Sequence, residues 1–258
     1  MRGISDTVKH IIIINALFWI GTLIIGTNGD VFNSLFAMHF PLNNGFKPWQ
    51  IFTHMFMHAS YTEAGQLVFS HILFNMFGVW MFGTPLEERW GKKKFIFFYI
   101  SAGLGSLLLY TGILYFQFNA ELSNLIAAGF DKQETLDMLN SGYLTYDRRW
   151  ESVIGVDGIK SLVSPFNASM LGASGALYGI LVAFAISFPN TSLMLIFLPV
   201  PIKAKYFVPA LIAMDLFFGM TSFSIGPIAH MAHVGGAIAG FIMAWYWKKN
   251  SFNDKRWN

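Results

Sequence analysis

The sequence predicts an all-α polytopic membrane protein, a bundle of six transmembrane helices with both termini in the cytoplasm. Three observations support this prediction. Hydrophobic residues make up 54 % of the chain and charged residues only 12 %, against about 25 % charged residues in a soluble domain. Six long apolar runs lack Lys and Arg, and the positive residues concentrate in alternate connections. So few charges cannot cover a water-facing surface, which excludes an ordinary soluble globule, a disordered chain and a coiled coil.

A transmembrane helix needs about 20 mostly apolar residues. The six runs that approach this length are Ile11–Thr27, Leu67–Gly83, Phe95–Phe118, Met170–Phe188, Tyr206–Phe223 and Ile228–Trp247. The first run does not have the form of a cleavable signal peptide, because its apolar stretch is long and no small-residue cleavage site follows it. A shorter apolar stretch, Leu193–Pro201, ends at Pro, and we expect an interfacial loop there.

The distribution of positive residues sets the predicted orientation. With the N-terminus in the cytoplasm, twelve of the 17 Lys and Arg residues lie in inside segments and five lie in outside segments. Four of those five fall in one long loop, where the rule carries little weight. The net charge of +3 is too small and too scattered to indicate a nucleic-acid partner.

Two of the predicted outside segments are large. Asn28–Gln66 carries turn signals and scattered aromatic residues, and we expect it to form a loop that dips into the outer leaflet. Asn119–Ser169 is the polar stretch of the chain, and Asp131 is placed to cap a short helix through Leu139. We therefore expect a single membrane domain over residues 1–258 with a polar extracytoplasmic insertion at about 119–169. A separate functional module in this insertion is the alternative.

Polar groups inside a membrane span are costly and mark candidate functional sites. Ser174, His233, His71 and Asn75 lie about 6, 8, 6 and 12 Å from the outside ends of three predicted spans, at 1.5 Å per residue. Three helices therefore bring a hydroxyl, two imidazoles and a carboxamide to similar depth. The other polar residues counted in the spans are Ser70, Ser101, Ser106, Asp215 and His230. We expect the Asp215 carboxylate to pair with a neighbouring helix, without a catalytic role.

Helical spacing places these groups on shared faces. His71 and Asn75 are four residues apart, and so are Ser174 and Tyr178. Stripes of glycine next to the serine and next to the second histidine would let two helices approach closely; they consist of Gly172, Gly175 and Gly179, and of Gly236 and Gly240. A serine beside a histidine is the minimum for an activated nucleophile, because the imidazole can remove the hydroxyl proton during attack.

Each of these features also has a structural interpretation. A lone serine in a span often bonds back to its own helix, a lone histidine is more often structural, and a glycine stripe is common at helix contacts. His54 and His58 have the i, i+4 spacing of metal ligands, but their segment lacks the Glu of the H-E-x-x-H zinc motif. The chain has no cysteine, which excludes disulfides, thiolate metal sites and a cysteine nucleophile.

Five motifs share one order along the chain: Phe52–His58, His71–Met76, Glu87–Gly91, Leu171–Gly179 and Ala232–Gly240. Together they resemble the rhomboid family of intramembrane serine proteases. The second is similar to the family's H-x-x-x-N oxyanion element, the third to its E-x-R-x-G motif, and the fourth to its G-x-S-G nucleophile motif. The fifth resembles the helix of the general base. The resemblance runs from residue 49 to about residue 247.

The resemblance implies a role for each candidate residue. Ser174 would be the nucleophile and His233 the general base, without an Asp as third member. The oxyanion would be held by the backbone N–H of Ser174, the imidazole of His71 and the carboxamide of Asn75. Tyr178 would pack on the general base, and the supporting glycines would be Gly172, Gly236 and Gly240. No metal and no organic cofactor is implied.

The chain departs from the family in three places. Trp49-Gln50 stands where the family often has Trp-Arg, and the intervals Ala59–Ser70 and Asn119–Ser169 are longer than in compact members. The implied function is hydrolysis of peptide bonds in transmembrane protein substrates, inside the lipid bilayer of a bacterial inner membrane. The alternatives are a catalytically inactive rhomboid-like protein that binds membrane segments, and a small transporter or channel.

Overall fold

The computed structural model describes residues 3–62, 64–195, 198–221 and 229–250, and these are mostly helical. The α-helices are, in chain order, α1 (Asp6–Ile24), α2 (Asp30–Phe36), α3 (Gln50–Thr53), α4 (Ser70–Gly78), α5 (Thr84–Trp90), α6 (Lys92–Ala127), α7 (Lys132–Asn140), α8 (Glu151–Asn167), α9 (Ser174–Ser187), α10 (Ala204–Met220) and α11 (His230–Asn250). The strands are β1 (Met38–His39), β2 (Ser169–Met170), β3 (Ser192–Leu195) and β4 (Leu198–Lys203).

The helices match the predicted spans unevenly. Among the described residues, α1 and α6 are the helices that are long and apolar enough to cross a membrane on length and composition alone. The second predicted span consists of α4 followed by a π-helical segment, Val79–Gly83. The fourth corresponds to α9, which has 14 residues, and the fifth to α10, which has 17. The end of the fifth predicted span and the start of the sixth lie partly outside the described residues. The count of six spans stays a prediction.

Charged and aromatic residues mark one end of the helix bundle. The ammonium group of Lys92, at the start of α6, lies 2.6 Å from a carboxylate oxygen of Asp6, at the start of α1. The ammonium group of Lys94 lies 4.3 Å from the centre of the Trp247 ring near the end of α11, and this ring also contacts Trp90 at the end of α5. Since α11 ends here, its first residues lie at the opposite end of the bundle.

Three helices, α6, α9 and α11, pack closely against one another, and small residues line their contacts. A Cβ atom on Gly105 of α6 would overlap Ala239 of α11, and one on Gly179 of α9 would lie 2.5 Å from the Cβ of Ala102 of α6. Such contacts bring helix backbones closer together than larger side chains allow. The close packing holds the first turns of α9 and α11 side by side.

The predicted polar insertion is folded onto the bundle. The Asp131 side chain accepts hydrogen bonds from the amides of Gln133 and Glu134, so the predicted capped helix is confirmed as α7. The third span is predicted to end at Phe118, but α6 continues to Ala127. The buried side chains of Leu122 and Leu125 extend its packed face beyond the predicted end. A second apolar cluster fills the space between α6, α7 and α8; its buried members are Phe40, Phe118, Leu122, Leu125, Leu139, Trp150, Ile159, Leu162, Val163 and Phe166.

Two segments predicted to be loops contain regular structure. Leu193–Pro201 falls largely in an antiparallel hairpin of β3 and β4, in which Leu193 pairs with Ile202. This pairing satisfies backbone groups that an interfacial loop would leave to water. Asn28–Gln66 contains α2, β1, α3 and a 3-10 turn at His54–Phe56. The buried Gln50 side chain fastens this segment, since its amide group donates to the carbonyls of Ser34 and Gly45.

The outer surface of the bundle is strongly apolar. Large side chains that face outward include Leu108 (77 % exposed) and Phe116 (78 %) on α6, Ile24 (74 %) on α1 and Met220 (74 %) on α10. Large exposed apolar side chains in this number are unsuited to water and suit a lipid environment.

Candidate active site

Ser174 is the first residue of α9, directly after a turn that only glycine adopts readily. Gly172 has φ of +129°, a conformation that is strained for residues with a side chain. Its amide donates to the carbonyl of His54, which fixes the turn. Because α9 begins at Ser174, the amide of this residue has no acceptor within the helix. The start of α9 therefore presents a hydroxyl and a free N–H together.

The imidazole of His233 lies beside this hydroxyl. Its Nε2 is 3.0 Å from the Oγ of Ser174, although 59 residues separate the two. The ring of Tyr178, one turn further along α9, stacks on the His233 ring at a centroid distance of 4.2 Å and an angle of 11°. The stacked phenol restricts the rotation of the imidazole and keeps one ring edge turned toward the serine.

The separation between α9 and α11 depends on glycines on both helices. The prediction that Gly172 belongs to this stripe is wrong, because Gly172 lies in the turn before α9 and faces His71. A Cβ atom on Gly236 would overlap the carbonyl oxygen of Gly175, and one on Gly240 would lie 2.5 Å from the Cα of Gly179. The backbones of the two helices are thus in direct contact. This contact places the side chains of Ser174 and His233 within hydrogen-bonding distance of each other.

His71 faces the same space from the start of α4. The amide N–H of Ala59 donates to the Nδ1 of His71 at 2.9 Å. In the neutral ring the proton is therefore on Nε2, which can donate. A Cβ atom built on Gly172 would lie 3.3 Å from this Nε2 and 3.5 Å from the Oγ of Ser174. A group bound at that point would touch both the serine hydroxyl and an N–H donor.

Asn75 lies one helical turn below His71 and is buried. Its carboxamide N–H donates to the carbonyl of His71 at 2.8 Å, and its Oδ1 has no hydrogen-bond partner among the described residues. Since an amide nitrogen carries two hydrogens, a second N–H is available. The structure places Asn75 against His71 and gives it no hydrogen bond to Ser174.

Asp215 of α10 joins this group, and sequence reasoning assigned it no part in the chemistry. Its carboxylate accepts from the Nδ1 of His233 at 3.2 Å and from the Nδ1 of His230 at 2.5 Å, and it also forms a hydrogen bond with the Tyr178 hydroxyl. The predicted pairing of Asp215 with a neighbouring helix is confirmed. A carboxylate inside a predicted span is the feature of the sequence that could have indicated a role for Asp215. The sequence does not indicate which imidazole this carboxylate contacts.

The two histidines with the spacing of metal ligands, His54 and His58, each have a hydrogen-bond partner outside the candidate site. His54 is buried with its Nδ1 2.9 Å from the carbonyl of Gln50, and the Nε2 of His58 lies 2.8 Å from the Oδ1 of Asn15. Among the residues that the structure describes, Asp215, His230 and His233 form a cluster whose donor atoms lie within 4.8 Å of one another, close enough to suggest a metal ion. Both Nδ1 atoms are already hydrogen-bonded to the carboxylate, and a metal there would compete with these bonds.

Comparison with known proteins relates the chain to one family. The family model described as "Rhomboid domain" matches residues 45–250. A relative, "Rhomboid protein 1, mitochondrial" of Saccharomyces cerevisiae, is 25 % identical over 181 residues, which cover 70 % of this chain and 39 % of the yeast protein. The chain thus spans less than half the length of this relative. The matched range contains each of the candidate residues from His71 to His233.

Proposed function

Because this chain belongs to the rhomboid family, we propose that it is an active intramembrane serine protease that hydrolyses peptide bonds of transmembrane protein substrates with Ser174 and His233. The observation that carries the proposal is the distance of 3.0 Å between the Nε2 of His233 and the Oγ of Ser174. A catalytically inactive member of the family would have no need for this pair in a geometry suited to proton transfer.

The proposed reaction begins at the serine. The Oγ of Ser174 attacks the carbonyl carbon of the substrate, and its proton passes to the Nε2 of His233. The resulting oxyanion accepts hydrogen bonds from the Ser174 amide, from the Nε2–H of His71 and from the free N–H of Asn75. The imidazolium then gives its proton to the nitrogen of the leaving amine as the C–N bond breaks. Water hydrolyses the acyl-enzyme in the same way, with His233 again as the base.

A serine-directed fluorophosphonate probe tests this proposal. Labelling of the purified protein should be abolished by Ser174→Ala, and His233→Ala should slow it severely. Ser101→Ala, which removes a hydroxyl from α6 outside the proposed site, is the matched control and should label like wild type. A folded wild-type protein that neither labels nor cleaves any transmembrane substrate would favour the inactive alternative, and labelling that persists in Ser174→Ala would identify a different nucleophile.

We also propose that the chain is one membrane domain with six spans, both termini in the cytoplasm and the 119–169 insertion outside. The common end of α1, α5, α6 and α11, with its Lys and Trp residues, supports this orientation, since positive residues favour the cytoplasmic side. The natural chain lacks cysteine, so single-cysteine variants can be used directly. An impermeant maleimide added to intact cells should label Asp137→Cys and should label Lys93→Cys only after lysis.

We propose a bacterial inner membrane as its location, and an organellar membrane is the alternative that the mitochondrial relative suggests. The proposed partners are transmembrane protein substrates and the surrounding lipid. No metal or organic cofactor takes part in the proposed steps.

A further inference from the structure

The Asp215 carboxylate binds the imidazole of the proposed general base, and the motif resemblance assigns it no role. The inference that follows rests on the proposed function. We propose that Asp215 is a positioning residue: it fixes the tautomer and the orientation of His233, and it stabilises the imidazolium that forms when Ser174 attacks.

The hydrogen-bond pattern determines the tautomer. An ionised carboxylate can only accept hydrogen bonds, so the bond to Asp215 places a proton on the Nδ1 of His233. In the neutral ring the Nε2 then carries a lone pair, and this lone pair faces the Oγ of Ser174. The opposite tautomer would direct an N–H at the hydroxyl and could not accept its proton. Asp215 therefore selects the form of His233 that can act as a base.

Asp215 is well placed to remain an anion. It is 5 % exposed, and a buried carboxylate is tolerated where hydrogen bonds or charges compensate it. Among the described residues, the titratable groups in contact with it are His230 and His233 of α11 and Tyr178 of α9. When the Ser174 proton moves to Nε2, the positive charge on the ring forms next to this carboxylate. The proton then passes to the leaving amine, and the charge of Asp215 is unchanged throughout.

The same carboxylate also orients the phenol that packs on the base. Tyr178 forms a hydrogen bond with Asp215 and stacks on the His233 ring. One acceptor on α10 thus holds both the edge and the face of the imidazole in place. His230, whose Nδ1 lies 2.5 Å from the same oxygen, is a second anchor of the carboxylate.

A purely structural role is the competing explanation, since Asp215 also links α10 to α11. Kinetics separate the two. Asp215→Asn keeps the side-chain shape, and we expect kcat for a model transmembrane substrate to fall about 100-fold, with KM nearly unchanged. This is smaller than the roughly 10⁴-fold loss from the same change in a soluble Ser-His-Asp protease, because the stacked Tyr178 still restrains the ring.

Two comparisons sharpen this test. Asp157→Asn, an exposed change on α8, should behave as wild type. Combining Asp215→Asn with His233→Ala should add nothing to the loss caused by His233→Ala alone, because Asp215 acts through that ring. Wild-type kcat in folded Asp215→Asn would overturn the proposal.

Nitrogen NMR of histidine-labelled protein tests the tautomer without relying on activity. In the wild type, the Nδ1 of His233 should carry the proton at neutral pH, with the signal assigned by the loss of its peak in His233→Gln. This preference should weaken in Asp215→Asn. A wild-type ring protonated on Nε2 would overturn the positioning role whatever the activity. If the wild type is inert toward probe and substrate but shows the expected tautomers, the proposed protease function fails, while the selection of the His233 tautomer by Asp215 stands.

Discussion

Two histidines of the site carry their protons on opposite nitrogens, and in each case the partner of Nδ1 decides which. The Nδ1 of His233 meets the carboxylate of Asp215, an acceptor, so its Nε2 is free to accept. The Nδ1 of His71 meets the amide of Ala59, a donor, so its Nε2 carries the hydrogen. In the proposed mechanism, one side-chain type thereby supplies both the base and a hydrogen-bond donor beside Ser174.

This division of roles predicts the cost of removing each oxyanion donor. Asn75→Ala should lower kcat more than it raises KM, because the donor acts mainly in the transition state. One donor contributes roughly 2.7–4 kcal/mol in a soluble serine protease, but two others remain here. We expect a loss of about 10- to 100-fold, near 1.4–2.7 kcal/mol.

His71→Ala should cost at least as much, since it also removes a ring from the wall of the site, and Ser174→Ala should exceed both. Single-turnover cleavage of a model transmembrane substrate is the measurement. Wild-type rates in both Asn75→Ala and His71→Ala would remove α4 from the mechanism and leave it a packing role.

At the residue scale, the sequence predicted which reactive side chains form the candidate site. The depths of Ser174, His233 and His71 in their predicted spans indicated one common site. The sequence could not indicate the Ala59 amide that sets the state of His71, because every residue has such an amide and only the fold aims it. The sequence also could not indicate the partner of Asp215, because that partner depends on how α10 packs against α11.

The close contact of α9 and α11 gives a prediction at the scale of elements. Gly236→Ala would place a methyl group against the carbonyl of Gly175, so the helices must separate by a few tenths of an ångström or more. We expect probe labelling of Ser174 to fall at least tenfold, or about 1.4 kcal/mol, with a lower Tm.

Gly112→Ala is the matched control, because a Cβ on this helical residue of α6 would meet nothing within 4 Å. It should label like wild type and gain up to about 1 kcal/mol of helix stability. Equal behaviour of the two variants in both assays would show that the glycine stripe does not set the spacing.

A second prediction concerns the junction of α1 and α5, beyond the predicted second span. Glu87 accepts hydrogen bonds from the Ser5 hydroxyl and from the amides of Thr7 and Val8 at the start of α1. Burial opposes its ionisation, but these bonds outweigh the burial and hold the pKa of Glu87 below its ordinary value of 4.5. The carboxylate therefore stabilises the fold above about pH 4.5, and this contribution is lost as the pH falls through the lower pKa of the folded state.

Glu87→Gln should accordingly destabilise the protein at pH 7 by about 1–3 kcal/mol, and the difference from wild type should shrink below pH 4.5. Thermal unfolding in detergent across this pH range is the measurement. Glu134→Gln, an exposed change on α7, should leave Tm almost unchanged at every pH. A Glu87→Gln deficit that is constant with pH would exclude the charged form as its origin.

Helices were predictable from the sequence where a local pattern, such as a cap or a long apolar run, determines them. The Asp131 cap predicted α7, and long apolar runs predicted α1 and the membrane part of α6. The hairpin of β3 and β4 escaped prediction, because two Pro residues in an apolar stretch resemble a loop. The order within residues 28–66 depends on Gln50 reaching several carbonyls at once, which is a tertiary arrangement with no local pattern.

At the scale of the whole molecule, α6 connects two apolar cores. Its first half packs with α9 and α11 beneath the candidate site, and its second half packs with α7 and α8 in the cluster around Trp150. Replacing the entire 119–169 insertion would expose Phe40 and remove Ser169 of β2, which pairs with His39 of β1. A narrower replacement therefore tests the insertion more cleanly.

Exchanging residues 131–146 for a Gly/Ser segment of equal length removes α7 and leaves α6, α8 and Trp150 in place. We expect a lower Tm, because the buried Leu139 is lost, and a rate of probe labelling within about threefold of wild type, a difference under about 0.7 kcal/mol. An equal-length exchange that loses labelling while its helical content and solubility are kept would show that the insertion shapes the site.

The short length of α9 determines how deep Ser174 lies in the membrane. Its 14 residues make a rod of about 21 Å, whereas the hydrocarbon layer is about 30 Å thick. The last turn of α9 lies at the end of the bundle that carries Lys92 and Lys94, because the ammonium group of Lys248 there donates to the carbonyl of Ile186. With that end at the inner edge of the layer, Ser174 lies about 9 Å inside the outer edge. The position of the cut would then be set by distance from the membrane surface, so a substrate helix shifted outward by one turn would be cut one turn nearer to its cytoplasmic end.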